Sequence, residues 1–542
     1  MAKNPEKVQD FLNDIFSKFK KQADLERERA FSIGREECGE SVAVDEGEQE
    51  MFNACDISYL LQKIEEKEYQ FDKELVRPYF ELSSTFKSIF AIFEEVLGVE
   101  IIEVEKEVDE PELKEEKEEG AKEEEGAKEE EGAKEEEGEE KKEEKSPVDK
   151  DALIAEGCLI AQRIRKTSML TSDGKVRVWH ADVRPFAVYT AEDPENPLPK
   201  EHRFLGYLVC DLHPRTGKYS HACMLPIVQP CRRRFWDSSA KSALCRVSGI
   251  EYSDADLMRE LRDRAQPAVV GILANFTEST PEAPALLTHD EVETLFHELG
   301  HTLHELTCEV ISPSLCGVNG VASDYVETPS QFQEGFAWDR GILKRICKHH
   351  ETGEMITDDL LEKLLRTRQS NVGMFHVRQL FFGIFDMTLH YPLAKDEEEK
   401  EEMGAFKRKP LLSSVEDLVS TWESLRMSVS MTQNTSGTCG AGNFAHIVGG
   451  YSANYYGYLW SNVMSIDCFE HMMESGGRSK DDDGEGTIRE YCKRFSKEGR
   501  KVKECLFRPG GTADELDLVT QYLGRDPSPS ALLKVFGALE EE

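Results

Sequence analysis

Residues 288–308 read THDEVETLFHELGHTLHELTC, and the architecture of the chain is organised around them. Thr288 followed by Glu291 forms a capping-box pattern, which satisfies orphan amide donors at a helix start. Val292, Leu295, Phe296, Leu299, Leu303 and Leu306 then recur at spacings of three and four, which predicts one apolar helical face. Within that helix lies His297-Glu298-Leu299-Gly300-His301, an H-E-x-x-H pentad. Histidines one turn apart project the same way and can hold one zinc ion, with the intervening glutamate beside them to take a proton from water at the metal.

Two histidines make an incomplete centre, because a catalytic zinc site usually draws three ligands from the protein. The extended pattern H-E-x-x-H-x-x-G-x-x-H is excluded, since His304 stands at its glycine and Thr307 at its third histidine. The other common solution is a carboxylate from a later helix. Asp324, Glu327 and Glu334 lie in SDYVETPSQFQEGFAW (323–338), and their spacing leaves all three open. Pro329 is unfavourable inside a helix, so this element is expected to start near Glu327 or to kink there.

The runs HDEVETLFHELGHTLH (289–304) and SDYVETPSQFQEGFAWD (323–339) closely resemble the thimet oligopeptidase/oligopeptidase A family of zinc peptidases, peptidase family M3. The resemblance implies Glu327 as third ligand, from the V-E-x-P-S-Q segment. One departure inside the pentad is Leu299, where the family usually has Phe, a packing position. Glu293, one turn before His297, is expected to accept the distal N–H of a ligand histidine. The stretch FAHIVGGYSANYYGYLW (444–460) has clustered glycines that permit a mobile loop and four tyrosines within eight residues. Its composition alone favours an aromatic packing cluster. By resemblance, His446, Tyr451 and Tyr455 contact substrate, and Tyr451, Tyr458 and His446 serve the tetrahedral intermediate. The likeness continues through WHADVR (179–184), PRTGKYSHA (214–222), ANFT (274–277) and the closing segment from Phe507 to Gly537. It implies a mainly α, gluzincin-type metallopeptidase with a small β-sheet beside the zinc helix and a deep substrate channel. It also implies one Zn²⁺ per chain, Glu298 as general base, short unstructured peptides as substrates, and a monomer.

At 542 residues the chain can bury a large core and form more than one structural unit. Its net charge is −39, and residues 103–145 alone hold 23 acids against 9 lysines. Such acidity argues against nucleic acid as a partner, because phosphate would be repelled. The 14 cysteines form no C-x-x-C pair, so neither a zinc ribbon nor a disulfide framework is indicated. Unpaired thiols in a large chain point to a reducing compartment. No run is long and apolar enough for a membrane helix, and MAKNPEKVQDFLNDIF lacks the apolar core of a secretory signal. Cytoplasm is therefore the expected location, with mitochondria the alternative should a targeting segment precede Met1.

Four regions are expected in order. Residues 1–75 are a helical remnant of the family's N-terminal half, in which Met1 is expected to begin. Residues 76–102 are the helical start of the catalytic domain. Residues 103–150, with AKEEEG three times over, are an acidic low-complexity insert without apolar side chains to bury. Residues 151–542 form the zinc domain. Within it, KVRVWHADV, PFAVYTA, FLGYLVCDL and AVVGILANF have the β-branched and aromatic texture of strands. An exposed strand there would pair with an extended peptide. His180 and His221 fall in this sheet region and are expected to be structural. The chain is thus expected to be a zinc endopeptidase of short peptides. A catalytically impaired peptide-binding protein is the rival, and an aminopeptidase is disfavoured because no G-x-M-E-N segment occurs.

Overall fold

The computed structural model describes residues 1–38, 52–53, 56–108, 175–192, 203–231, 266–280, 283–310, 312–393, 404–435, 437–479, 482 and 484–538. The chain divides into two units, one of residues 1–102 with 186–542 and the other of residues 103–185.

In the larger unit the first element is helix α1 (Pro5–Cys38), whose residues Val8, Leu12, Ile15 and Phe19 are buried at helical spacing. The stretch Ile57–Leu97 carries apolar residues at helical spacing throughout, yet it is not one helix. It runs helically over Ile57–Ile64, widens into a π turn over Glu65–Tyr69, and leaves at Gln70 with φ +47°. Two short 3₁₀ turns follow, the second containing Pro78, which lacks the N–H a continuing helix would need. Helix α2 (Leu82–Leu97) then starts on the Glu81 side chain, which accepts from the amides of Ser83 and Ser84 at 2.9 and 2.7 Å. It ends at Gly98, where φ is +63°.

Five strands follow: β1 (Val99–Glu103), β2 (Arg184–Thr190), β3 (Phe204–Asp211), β4 (Cys223–Val228) and β5 (Ala268–Leu273). They form one mixed sheet in the order β1-β2-β3-β5-β4. β3 and β5 run parallel from Gly206 opposite Ala268, and β4 and β5 run antiparallel. Gly206 is required by close approach, because a Cβ there would lie 2.1 Å from the Ala268 carbonyl oxygen. The sequence reading placed a strand at AVVGILANF beside the metal helix. That strand is β5, which has a neighbour on each side, so the available edge is β4.

The remaining labelled elements are helices α3 (His289–Thr307), α4 (Thr328–Ala337), α5 (Val372–His390), α6 (Val415–Ser430) and α7 (Gly457–Ser475). One core joins α2, the sheet, α3 and α4 around Phe86, Phe93, Phe296, Phe332 and Phe336. A second packs α1 against α5, α6 and α7 around Phe19, Phe381, Phe385 and Trp422.

The smaller unit pairs strand Lys106–Val108 in parallel with Val176–Val178. Arg184 holds Glu103 through two 2.9 Å hydrogen bonds. The first residues read as insert are therefore extended and paired, whereas 109–150, with the repeats, lie outside the described residues.

Candidate active site

The capping box that opens α3 is formed in both directions. Thr288 Oγ1 accepts from the Glu291 amide at 3.1 Å, and Glu291 Oε2 accepts from the Thr288 amide at 2.8 Å. All six apolar positions counted from the sequence are fully buried, which fixes the rotation of the helix. Gly300 faces α4 at close range. A Cβ there would sit 2.6 Å from Ser330 Cα and 2.8 Å from the Pro329 carbonyl oxygen. α4 in turn begins with Glu327 at its N-cap and Pro329 in the first turn, where a missing N–H removes no helical bond. The expected break at Pro329 is thus a helix start, and it delivers Glu327 to the pentad.

His297 Nε2 and His301 Nε2 lie 3.4 and 3.2 Å from the same oxygen, Glu327 Oε2. Among the described residues this trio forms a candidate metal group, all three ligand atoms lying within 4.8 Å of one another. Two imidazoles and a carboxylate are a donor set suited to zinc, and their convergence on one point fits a single ion. Burial would raise the pKa of Glu327, but the His301 charge and hydrogen bonds from both histidines hold it well below the usual carboxylate range. Its other oxygen, Oε1, accepts from the Tyr451 hydroxyl at 2.9 Å. Of the two rival acids, Asp324 is turned away to the Tyr456 hydroxyl at 2.9 Å and the Ala2 amide at 2.8 Å. Glu334 instead meets the far nitrogen of a ligand, His297 Nδ1, at 2.6 Å.

That contact corrects the expectation for Glu293. Its carboxylate accepts from the Trp338 indole N–H at 2.5 Å, and burial together with the neighbouring Glu334 raises its pKa to about 7. Glu293 and His297 share a helical face, but the Trp338 indole occupies the Glu293 carboxylate while α4 brings Glu334 up to His297 Nδ1. Glu334 was legible as a candidate, since it lies seven residues after Glu327 and so shares its helical face. Its role depends on how α4 crosses α3.

Glu298 is buried beside the trio. Desolvation raises its pKa, while the His297 and His301 charges and the Met224 backbone N–H on β4 act in the opposite direction. Opposite stands the tyrosine stretch. The Tyr451 and Tyr458 rings stack at 5.1 Å, and the His446 ring lies 5.8 Å from Tyr451 and 6.0 Å from Tyr458. Tyr455 turns its hydroxyl to Gln379 Oε1 at 2.9 Å and packs its ring 5.2 Å from that of His446. Partial desolvation lowers the pKa of His446, and the charge of His221 adds to it, so the sheet-region His221 comes within electrostatic range of this cluster. His180, in the smaller unit, pairs with Asp182 at 3.2 Å in a turn. A cavity of ≈ 980 Å³ is lined by His297, Glu298, Gln331, His446, Tyr455 and Tyr458, among others.

An H-E-x-x-H helix completed by a glutamate from the next long helix, inside a mainly helical fold, is the arrangement found in zinc metallopeptidases of the two-histidine, one-glutamate type. The profile of "Peptidase family M3" matches residues 1–538. Oligopeptidase A of Escherichia coli is 26% identical over 539 residues, covering 99% of this chain and 58% of the relative. Saccharolysin of Saccharomyces cerevisiae is 31% identical over 363 residues, covering 66% of this chain and 42% of the relative. The chain belongs to peptidase family M3. It spans about half the length of these relatives. A solved structure of PZ peptidase A aligns over 60% of this chain with 14% identity and a TM-score of 0.34.

Proposed function

We propose that the chain hydrolyses internal bonds of short peptides as a zinc-dependent endopeptidase. The observation that carries this reading is the convergence of His297, His301 and Glu327 with the Glu298 carboxylate at their side. These three residues would hold the ion, which when bound supplies Lewis acidity to a carbonyl and to water. Glu298 takes the proton of the attacking water as the O–C bond forms, and passes it to the nitrogen as the C–N bond breaks. Tyr458 and His446 line the cavity, Tyr451 stacks on Tyr458, and the three donate hydrogen bonds to the developing oxyanion. Tyr455 and His446 bear on the substrate chain. β4 offers the sheet edge to an extended peptide, with Leu225 and Ile227 exposed and Met224 against Glu298. A cavity of ≈ 980 Å³ suits a few peptide residues and excludes a folded domain.

A second reading is a peptide-binding protein whose catalysis is impaired. One experiment separates the two. An internally quenched peptide, blocked at both ends, is incubated with the unaltered chain and with Glu298→Gln at equal zinc content. Cleavage by the unaltered chain and a loss of roughly 10²–10⁴-fold in the variant is the expected outcome. Zinc and peptide binding by both without cleavage by either would put the binder first.

A further inference from the structure

The tyrosine stretch contains a local irregularity that its own residues do not account for. Ala453 has φ +54°, the left-handed region in which a residue with a Cβ is strained. The three successive amides that follow from this bend, those of Ala453, Asn454 and Tyr455, all point at one side chain. Asp386 Oδ1 accepts from Ala453 at 2.9 Å, and Oδ2 accepts from Asn454 at 2.8 Å and from Tyr455 at 2.9 Å. Asp386 is fully buried on α5, and its remaining polar neighbour is His390 Nδ1 at 2.9 Å from Oδ1. Seven residues earlier on the same face of α5, Gln379 holds the Tyr455 hydroxyl at 2.9 Å.

Resting on the peptidase reading above, we infer that Asp386 is a positioning residue of the active site, the anchor that holds Tyr451 and Tyr458 towards the metal group. The pinned segment lies between them. On one side Tyr451 reaches Glu327 Oε1, and on the other Tyr458 stacks on Tyr451. The segment before it is held more lightly: the Gly449 amide donates to the His446 carbonyl at 3.1 Å, Val448 is 85% exposed, and nothing lies near Gly450 where a side chain would be. A buried carboxylate that accepts three backbone N–H groups is a strong acceptor for them, since hydrogen bonds to an ionised partner are the stronger kind. Such a nest fixes the backbone of 453–455, and with it the two hydroxyls that flank it. Asp386 touches none of the ion's ligands, and its hold on the cavity wall is through the Tyr455 amide, so it acts through the tyrosine segment.

Three measurements test this. Asp386→Asn replaces one accepting oxygen by a donor, and it is expected to lower kcat by up to about 100-fold with KM within about threefold and zinc content unchanged. A fold defect alone would lower the active fraction but would not couple to a particular hydroxyl. The second measurement is therefore a double-mutant cycle with Tyr458→Phe: Asp386→Asn is expected to remove little further activity in that background, and losses that simply multiply would overturn the inference. The third uses the unaltered chain, so that failure of the variant to fold leaves the inference testable. By hydrogen exchange the amides of 453–455 are expected to be protected well beyond those of 448–450, and exchange at the same rate would overturn it. If the unaltered chain cleaves no peptide, the function reading falls, while the exchange result still decides whether Asp386 anchors the segment.

Discussion

Gly300→Ala tests whether the metal group depends on how closely two helices approach. The added Cβ would lie 2.6 Å from Ser330 Cα, 2.8 Å from the Pro329 carbonyl oxygen and 2.9 Å from Gln333 Cγ. Carbon atoms in ordinary contact stand roughly 3.5–4.0 Å apart, so α4 must retreat by about 1 Å. Two of the three obstructing atoms are backbone, so a side-chain rotation does not relieve the clash. Glu327 stands at the N-terminal edge of α4 and would move with it. Zinc–ligand distances tolerate only about 0.2 Å, so a shift of that size removes the third ligand from the two histidines. The substitution is therefore expected to lower stability by about 1–3 kcal/mol, the usual consequence of overpacking. It is also expected to weaken zinc binding at least roughly tenfold, as judged by competition with a chromophoric chelator, although no ligand has been altered. Equal zinc affinity in Gly300→Ala and the unaltered chain would refute the argument that this contact sets the site.

Three further outcomes follow from buried and half-buried polar groups. Glu334→Ala leaves His297 Nδ1 without its 2.6 Å partner, and zinc affinity is expected to fall by about 10–100-fold in the same chelator competition. Glu293→Ala removes only the Trp338 contact and is expected to change that affinity far less. His376 is stacked on Phe19 with ring centroids 3.9 Å apart, and burial lowers its pKa to about 4, its hydrogen bond to the Val372 carbonyl opposing the shift. The unfolded chain takes up that proton near pH 6.5 and the folded one does not, so stability is full above pH 6.5 and is lost as pH falls towards 4. At pH 5 the loss from this group is about 2 kcal/mol. In denaturant unfolding, His376→Gln should shrink the difference in stability between pH 7 and pH 5 by about that amount. An unchanged difference would assign the acid sensitivity to other groups.

The helix that carries the pentad was legible because everything that defines it is local. A capping pair three residues apart, an apolar period of three and four, and two histidines one turn apart are all consequences of helical geometry. The strands at residues 184–190, 204–211 and 268–273 were legible for the same reason, from β-branched and aromatic composition. The break between Ile57 and Leu97 was not, because the apolar period continues across a π turn and two 3₁₀ turns that lengthen or shorten the path without disturbing the pattern.

What the sequence by itself determined was the set of groups at the centre: two imidazoles, a glutamate between them, and a carboxylate from the segment 323–338. Which carboxylate serves, and what the others do, only the tertiary structure decided. Asp324, Glu327 and Glu334 are close in sequence, yet Asp324 faces Tyr456, Glu327 faces the histidines and Glu334 lies behind one of them. That sorting depends on the crossing of α4 over α3 at Gly300. The support for the tyrosines is more distant still, since Asp386 meets its three amides from 67 to 69 residues away. Local hydrogen bonding repeats with a period that a sequence displays, whereas convergence of distant segments is set by packing and has no period to read.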